Sequence, residues 1–246
     1  GNLTFSGSIG NTTPLGNLNA IGTTKLNSNV TTTGSQIYND AVTIANNPTL
    51  TGKGITFNST LDGNSNLTAN SGTGNLTFSG SIGNTTPLVN LTTTGTTTLL
   101  GNVTTTGSQI YNDAVTIANN PTLTGNGITF NSTLDGNSNL TANSGTGNLT
   151  FSGSIGNTTP LGNLTTTGKT KLNGNVMTTG SQTYNDAVTI ANNPTLTGNS
   201  ISFNSTLDGN SNLTANSGTG NLTFSSAIGN TTPLVNLTTT GTTKLN

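Results

Sequence analysis

The sequence predicts an all-β chain wound as a three-sided parallel β-helix, a β-solenoid with about 18 residues per coil. Three observations carry that reading. First, the segment Gly-Asn-Leu-Thr-Phe-Ser begins at Gly1, Gly74, Gly147 and Gly220, always in steps of 73, with no insertion or deletion between copies. A unit copied this regularly suits an architecture that extends by addition, a solenoid. Second, apolar residues alternate with Thr, as in Leu76-Thr77-Phe78 and Ile128-Thr129-Phe130, which is the period of a half-buried strand. Third, the chain holds 58 Thr, 42 Asn and 33 Gly in 246 residues. Thr is the polar residue best suited to strands, and Asn and Gly suit the turns between them.

The repeats run 1–73, 74–146 and 147–219, with a partial copy over 220–246, and the expectation is one continuous solenoid over 1–246. One unit divides into four rows, Leu91–Ser108, Gln109–Asn126, Gly127–Thr146 and Gly147–Asn163, whose lengths are 18, 18, 20 and 17. Each row contains three strand-like pieces separated by Gly, Asn, Asp or Pro. A second division uses the pairs Phe57/Leu61, Phe78/Ile82, Leu99/Val103 and Tyr111/Val115, whose spacings of 21, 21 and 12 imply three longer coils per unit. The more even row lengths favour four. Leu76 and Leu88 are placed inside. The core is expected to hold Phe57, Leu61, Phe78, Ile82, Leu99, Val103, Tyr111, Val115, Phe130, Phe151, Tyr184, Phe203 and Phe224. Phe57 and Phe78, at the first of these spacings, are expected to lie almost directly above one another. Side-chain ladders of Asn and Thr should supplement the backbone hydrogen bonds, as identical residues do in stacked strands.

Composition narrows the chemistry. Only 28% of residues are apolar and 4% charged, which in a globule would suggest disorder. Disordered chains usually add a high net charge, whereas here it is −1. A solenoid needs only a narrow apolar stripe, which the 54 Leu, Ile, Val and Phe residues provide. There is no His and no Cys, so the usual ligands of zinc, haem and iron–sulfur sites are missing, as are thiol nucleophiles and the Ser-His-Asp triad. Five basic residues are too few for a nucleic-acid footprint. No apolar run reaches the length of a membrane span. The chain starts in mid-pattern at Gly1 and reads as a piece of something longer. These points predict neither an enzyme nor a cofactor-dependent protein, and no membrane insertion by this segment.

Four features are functional candidates. Each full unit carries two Asp: Asp40, Asp113 and Asp186 in Tyr-Asn-Asp-Ala-Val, and Asp62, Asp135 and Asp208 in Leu-Asp-Gly-Asn. Calcium needs more oxygens than these offer, so they read as turn residues. Lys25, Lys53, Lys169, Lys171 and Lys244 fall where copies differ and read as solvated decoration. Thr runs at Thr31–Thr33, Thr92–Thr94, Thr104–Thr106, Thr165–Thr167 and Thr238–Thr240 could order water or sugar. This makes an ice-binding or carbohydrate-binding face the alternative to a purely structural role. Asn-x-Ser/Thr triplets, among them Asn2, Asn11, Asn58, Asn66, Asn75, Asn84 and Asn90, are potential glycan acceptors in a secretory setting.

The string TTTGSQIYNDAVTIANNPTLTG, followed by GITFNSTLDGNSNLTANSGTGNLTFSGSIGNTTPL, resembles the tandem repeats of filamentous-haemagglutinin-like bacterial exoproteins, the giant surface adhesins. The resemblance covers the whole chain and lies in the scaffold, so no binding residue is carried over. It implies a right-handed β-solenoid stalk exported to the bacterial surface or extracellular matrix. The expected role is therefore structural: a segment of a secreted surface fibre or adhesin stalk serving adhesion or biofilm. Its expected partners are copies of itself, end to end or lateral, and a host or neighbouring cell surface.

Overall fold

A computed structural model describes all residues from Gly1 to Asn246. The chain is all-β: 31 strands, most of them short, and no helix, so no helix is long and apolar enough to cross a membrane. It forms two compact units, residues 1–125 and 126–246. Each unit is a parallel β-solenoid.

In the first unit the strands fall into three stacks, which form the sides of the coil. Leu3–Phe5, Thr24–Leu26, Val42–Ile44 and Leu61–Asp62 pair in parallel to start the first side, which continues through Ile82 to Val103–Thr104 and Thr122–Thr124. The second side runs from Ile9 through Val30–Thr31, Thr49–Thr51, Leu67–Asn70 and Leu91–Thr94 to Gln109–Tyr111. The third runs through Leu18–Ala20, Gln36–Tyr38, Ile55–Phe57, Leu76–Phe78, Thr97–Leu99 and Val115–Ile117. The step from one partner to the next within a stack varies from 18, as between Leu91 and Gln109, to 24, as between Leu67 and Leu91, so the expected 18 lies at the short end of the range. The longest arises because the chain makes an excursion through Asn84-Thr85-Thr86-Pro87 before Leu88 returns to the interior. The second unit repeats the scheme. One stack holds Ile128–Phe130, Leu149–Phe151, Thr170–Leu172, Val188–Ile190 and Leu207–Asp208. The strand Asn212–Phe224 turns a corner there, pairing with Thr195–Thr197 in one half and Ser200–Phe203 in the other.

Neither division of the 73-residue unit matches the coil. From Leu3 to the equivalent Leu76 the chain lays down eleven sides, which is three and two-thirds turns. Equivalent residues of adjacent repeats therefore occupy different sides. Tyr38 lies on the third side, between Ala20 and Phe57. Tyr111, one repeat later, lies on the second side, paired with Thr93. Equal rows could not reveal this, because they assume that a unit closes on a whole number of turns.

Alternation decides what is buried. The central residue of most three-residue strands points outward and its neighbours point in, as in Val42–Ile44 and Leu76–Phe78. All thirteen core candidates are at most 1% exposed. The parallel register places rings at strand spacing: Tyr38 on Phe57 at 5.0 Å and Phe57 on Phe78 at 5.2 Å, both pairs stacked with nearly parallel planes. The second unit stacks Phe130 on Phe151 at 5.2 Å, and Tyr184 on Phe203 on Phe224 at 5.0 and 5.2 Å. Each fully buried aromatic ring removes a large apolar area from water and gains a further ~0.5–1.5 kcal/mol per stacked pair.

The interior is not wholly apolar. Gln36 is fully buried, and its Nε2 donates to the carbonyls of Thr51 at 2.8 Å and Val30 at 3.2 Å. Its Oε1 accepts from the Tyr38 hydroxyl at 3.0 Å. The same arrangement recurs at Gln109/Tyr111 and Gln182/Tyr184. Burial pushes all three phenols well above their ordinary pKa, so they remain neutral donors. Outside, Asn side chains form ladders. Asn66 Nδ2 donates to Asn47 Oδ1 at 2.9 Å, and Asn90 Nδ2 donates to Asn66 Oδ1 at 2.7 Å. Each corner preceding Pro48, Pro121 and Pro194 uses two successive Asn in the left-handed region, at φ of 54° to 59°, a conformation Asn tolerates better than most residues.

Two expectations follow. Phe57→Ala removes the middle ring of a three-ring stack and should lower stability by about 3–5 kcal/mol, while Phe57→Leu should lose clearly less, as read from urea midpoints. Gln36→Leu strands the Tyr38 hydroxyl and should cost about 1–3 kcal/mol, whereas Gln36→Leu with Tyr38→Phe should recover most of it in a double-mutant cycle.

Candidate functional surface

The six Asp residues have structural partners. Asp40, Asp113 and Asp186 each accept a hydrogen bond at Oδ2 from the amide of a glycine one turn earlier: Gly22 at 2.8 Å, Gly95 at 2.7 Å and Gly168 at 2.8 Å. Gly95 sits at φ +97°, where a Cβ would run into the Ser71 hydroxyl, so the position needs glycine. Asp62 Oδ1 accepts from the amides of Thr85 at 2.8 Å and Thr86 at 3.0 Å, and so fastens the excursion before Pro87. Asp135 and Asp208 do the same for Thr158/Thr159 and Thr231/Thr232. No three carboxylates come together as a metal cluster would require.

The Thr runs are split by the alternation. In Leu91–Thr94, Thr93 is fully buried while Thr92 and Thr94 face outward. On the second side of the first unit the outward residues form two ranks: Thr49, Thr68 and Thr92, and Thr51, Asn70 and Thr94. The first rank ends after Thr92, because the next outward residue is Ile110, and the second gains one more Thr at its other end, Thr31 beside Thr51. The second unit carries the same array as Thr195, Thr214 and Thr238 beside Thr197, Asn216 and Thr240. The long flat lattice that an ice plane requires is thus interrupted on this side of the first unit.

The Asn of the Asn-x-Ser/Thr triplets divide in two. Asn58, Asn66 and Asn90 spend their amides on ladders, and Asn2 accepts from the Thr23 hydroxyl. Asn11 and Asn84 are exposed in the excursions ahead of Pro14 and Pro87.

The lysines, which the sequence presents as solvated decoration, are partly gathered. An open groove of about 340 Å³ in the first unit is lined by Asn2, Thr4, Thr23, Thr24, Lys25 and Thr43. One of about 280 Å³ in the second unit is lined by Asn148, Thr150, Lys169, Thr170, Lys171 and Thr189. The two occupy the same repeat positions in the first and third repeats, except that Thr23 of the first is replaced by Lys169 in the third and that Leu3 and Ala41 also line the first. The missed signal lay in the 73-residue alignment: Lys25, Lys171 and Lys244 occupy one repeat position, where the second copy has Thr98. Buried Gln36, Gln109 and Gln182 were also missed; their regular distance of two from a core Tyr was the available clue.

No protein-family model, curated protein or solved structure matches the chain.

Asp135→Ala should release the Thr158–Thr159 corner. Loss of a charge-assisted pair of hydrogen bonds at a partly exposed site should cost about 1–3 kcal/mol, with faster proteolysis between Gly156 and Leu161, readable by mass spectrometry of limited digests.

Proposed function

We propose that the chain is a structural segment of a secreted bacterial surface fibre or adhesin stalk, one that sets length and resists extension and proteolysis. The observation that carries this reading is how each repeat spends its residues. Apolar side chains go to axial stacks such as Tyr38–Phe57–Phe78, the Asp go to backbone amides, and Asn go to ladders between turns. The repeat is used for continuation, and no copy departs from it to build a deep cleft. The resemblance of the TGSQ-x-YNDAVTI segment to repeats of filamentous-haemagglutinin-like exoproteins supports an extracellular setting and a role in adhesion or biofilm. In this reading the partners are copies of itself and the surface of a host or neighbouring cell.

The test is to add or delete one 73-residue unit in the native chain and image the bacterial surface. Each unit should change fibre length by about 18 Å, three and two-thirds turns at ~4.8 Å per turn. Many units added together make the increment measurable. Surface structures whose length ignores repeat number, or a product confined to the cytosol, would overturn the proposal.

A further inference from the structure

We propose that the two lysine grooves are binding sites for an acidic polysaccharide whose charge is carried by uronate carboxylates. This does not depend on the stalk reading.

The placement of charge favours an anionic ligand. The chain has five cations and a net charge of −1, yet Lys25, Lys169 and Lys171 line these two grooves and no carboxylate does. In the second unit Lys169 and Lys171 flank buried Thr170, so both point outward on one side of an extended segment, about 6.6 Å apart along the chain. The nearest acid in that rank is Asp208, two strands away through Thr189. That is about 9.6 Å between backbones, around the Debye length at physiological salt. Asp208 is also engaged by the amides of Thr231 and Thr232. The first unit has the same order, Lys25, Thr43, Asp62, with Asp62 holding Thr85 and Thr86. Closer still are Asp186, whose Oδ2 accepts from the amide of Gly168 next to Lys169, and Asp40, which holds the amide of Gly22 beside the first groove. These carboxylates are committed to backbone amides, and in the second unit the pair Lys169 and Lys171 outnumbers the single Asp186, which leaves positive charge for an external anion.

The rest of the lining favours a sugar. Thr4 and Thr43 lie directly before and after Lys25 in the outward rank, and Thr150 and Thr189 before and after Lys171. Asn2, whose Oδ1 accepts from the Thr23 hydroxyl, and Asn148 also line the grooves. Hydroxyls and amides, each donor and acceptor, match sugar hydroxyls. They recur at ~4.8 Å, a step comparable to one pyranose in an extended chain, so a polysaccharide lying across the turns meets a new polar row with each residue. A strip this open suits a polymer better than a small molecule, which it would leave mostly in water. The pattern contains no aromatic platform and too few cations for a nucleic acid.

The test is titration calorimetry of the full chain with a defined oligogalacturonate, with the neutral oligosaccharide of the same linkage and length as control. Binding should be found for the uronate only and should weaken as salt rises. Lys169→Gln with Lys171→Gln should weaken it at least tenfold, and Lys25→Gln by less. Lys53→Gln, outside both grooves, should leave it unchanged. Thr98→Lys should add capacity at the second copy. Circular dichroism and melting of each variant confirm that the solenoid persists. Equal binding of the neutral sugar, equal losses from Lys53→Gln, no uronate binding at low salt, or equally tight binding of inorganic polyphosphate would each overturn the proposal.

Discussion

Everything in this structure answers to the parallel backbone ladder. It sets turns ~4.8 Å apart and places a residue directly over its partner in the turn below. A side chain that stacks well on its neighbour is favoured at every level, and one that does not is penalised at every level. Planar rings satisfy this, as in Tyr38, Phe57 and Phe78. So do carboxamides, which offer a donor to one side and an acceptor to the other, as Asn66 does between Asn47 and Asn90. Repeated charges would repel at that distance. The scarcity of charge in the composition follows from this: each Asp is held against backbone amides, and outward ranks place Thr between Lys and Asp.

The same constraint explains the polar core residues. Gln36 enters a fully buried position because the carbonyls of Val30 and Thr51 and the Tyr38 hydroxyl all reach it. The bond to Thr51 joins one level to the next through a side chain of fixed length, while those to Val30 and Tyr38 fix it within its own turn. A slip by one residue would turn Gln36 outward and bury a Ser in its place. Such groups add less to net stability than to the definition of register, since a buried polar atom left without its partner is costly.

How much was legible in the sequence depended on how local the signal was. Alternation in Leu76-Thr77-Phe78 is local, so strands, core side chains and the Phe57–Phe78 stack could be read directly. The path between strands was not local. The Asn84–Pro87 excursion makes the turn from Leu67 to Leu91 the longest of its stack, and nothing in the residues distinguishes that detour from another side until Asp62 is seen to hold it. The lysine grooves were hidden for a different reason. Lys25 and Lys171 were read as differences between copies, whereas aligned on the repeat they recur at one position, and their surroundings are supplied by strands of preceding and following turns.

The two-thirds of a turn left over in each repeat has an evolutionary consequence. Tandem DNA copies gain and lose units readily, and here one unit is not a whole screw operation. Adding a single copy moves whatever follows further along the axis and also swings it by two-thirds of a revolution, which is a third of a revolution the other way. Only a change of three copies restores the original bearing. Copy number would then act as a dial for the azimuth of distal features, so that strains differing by one repeat would present the same surface chemistry in different directions.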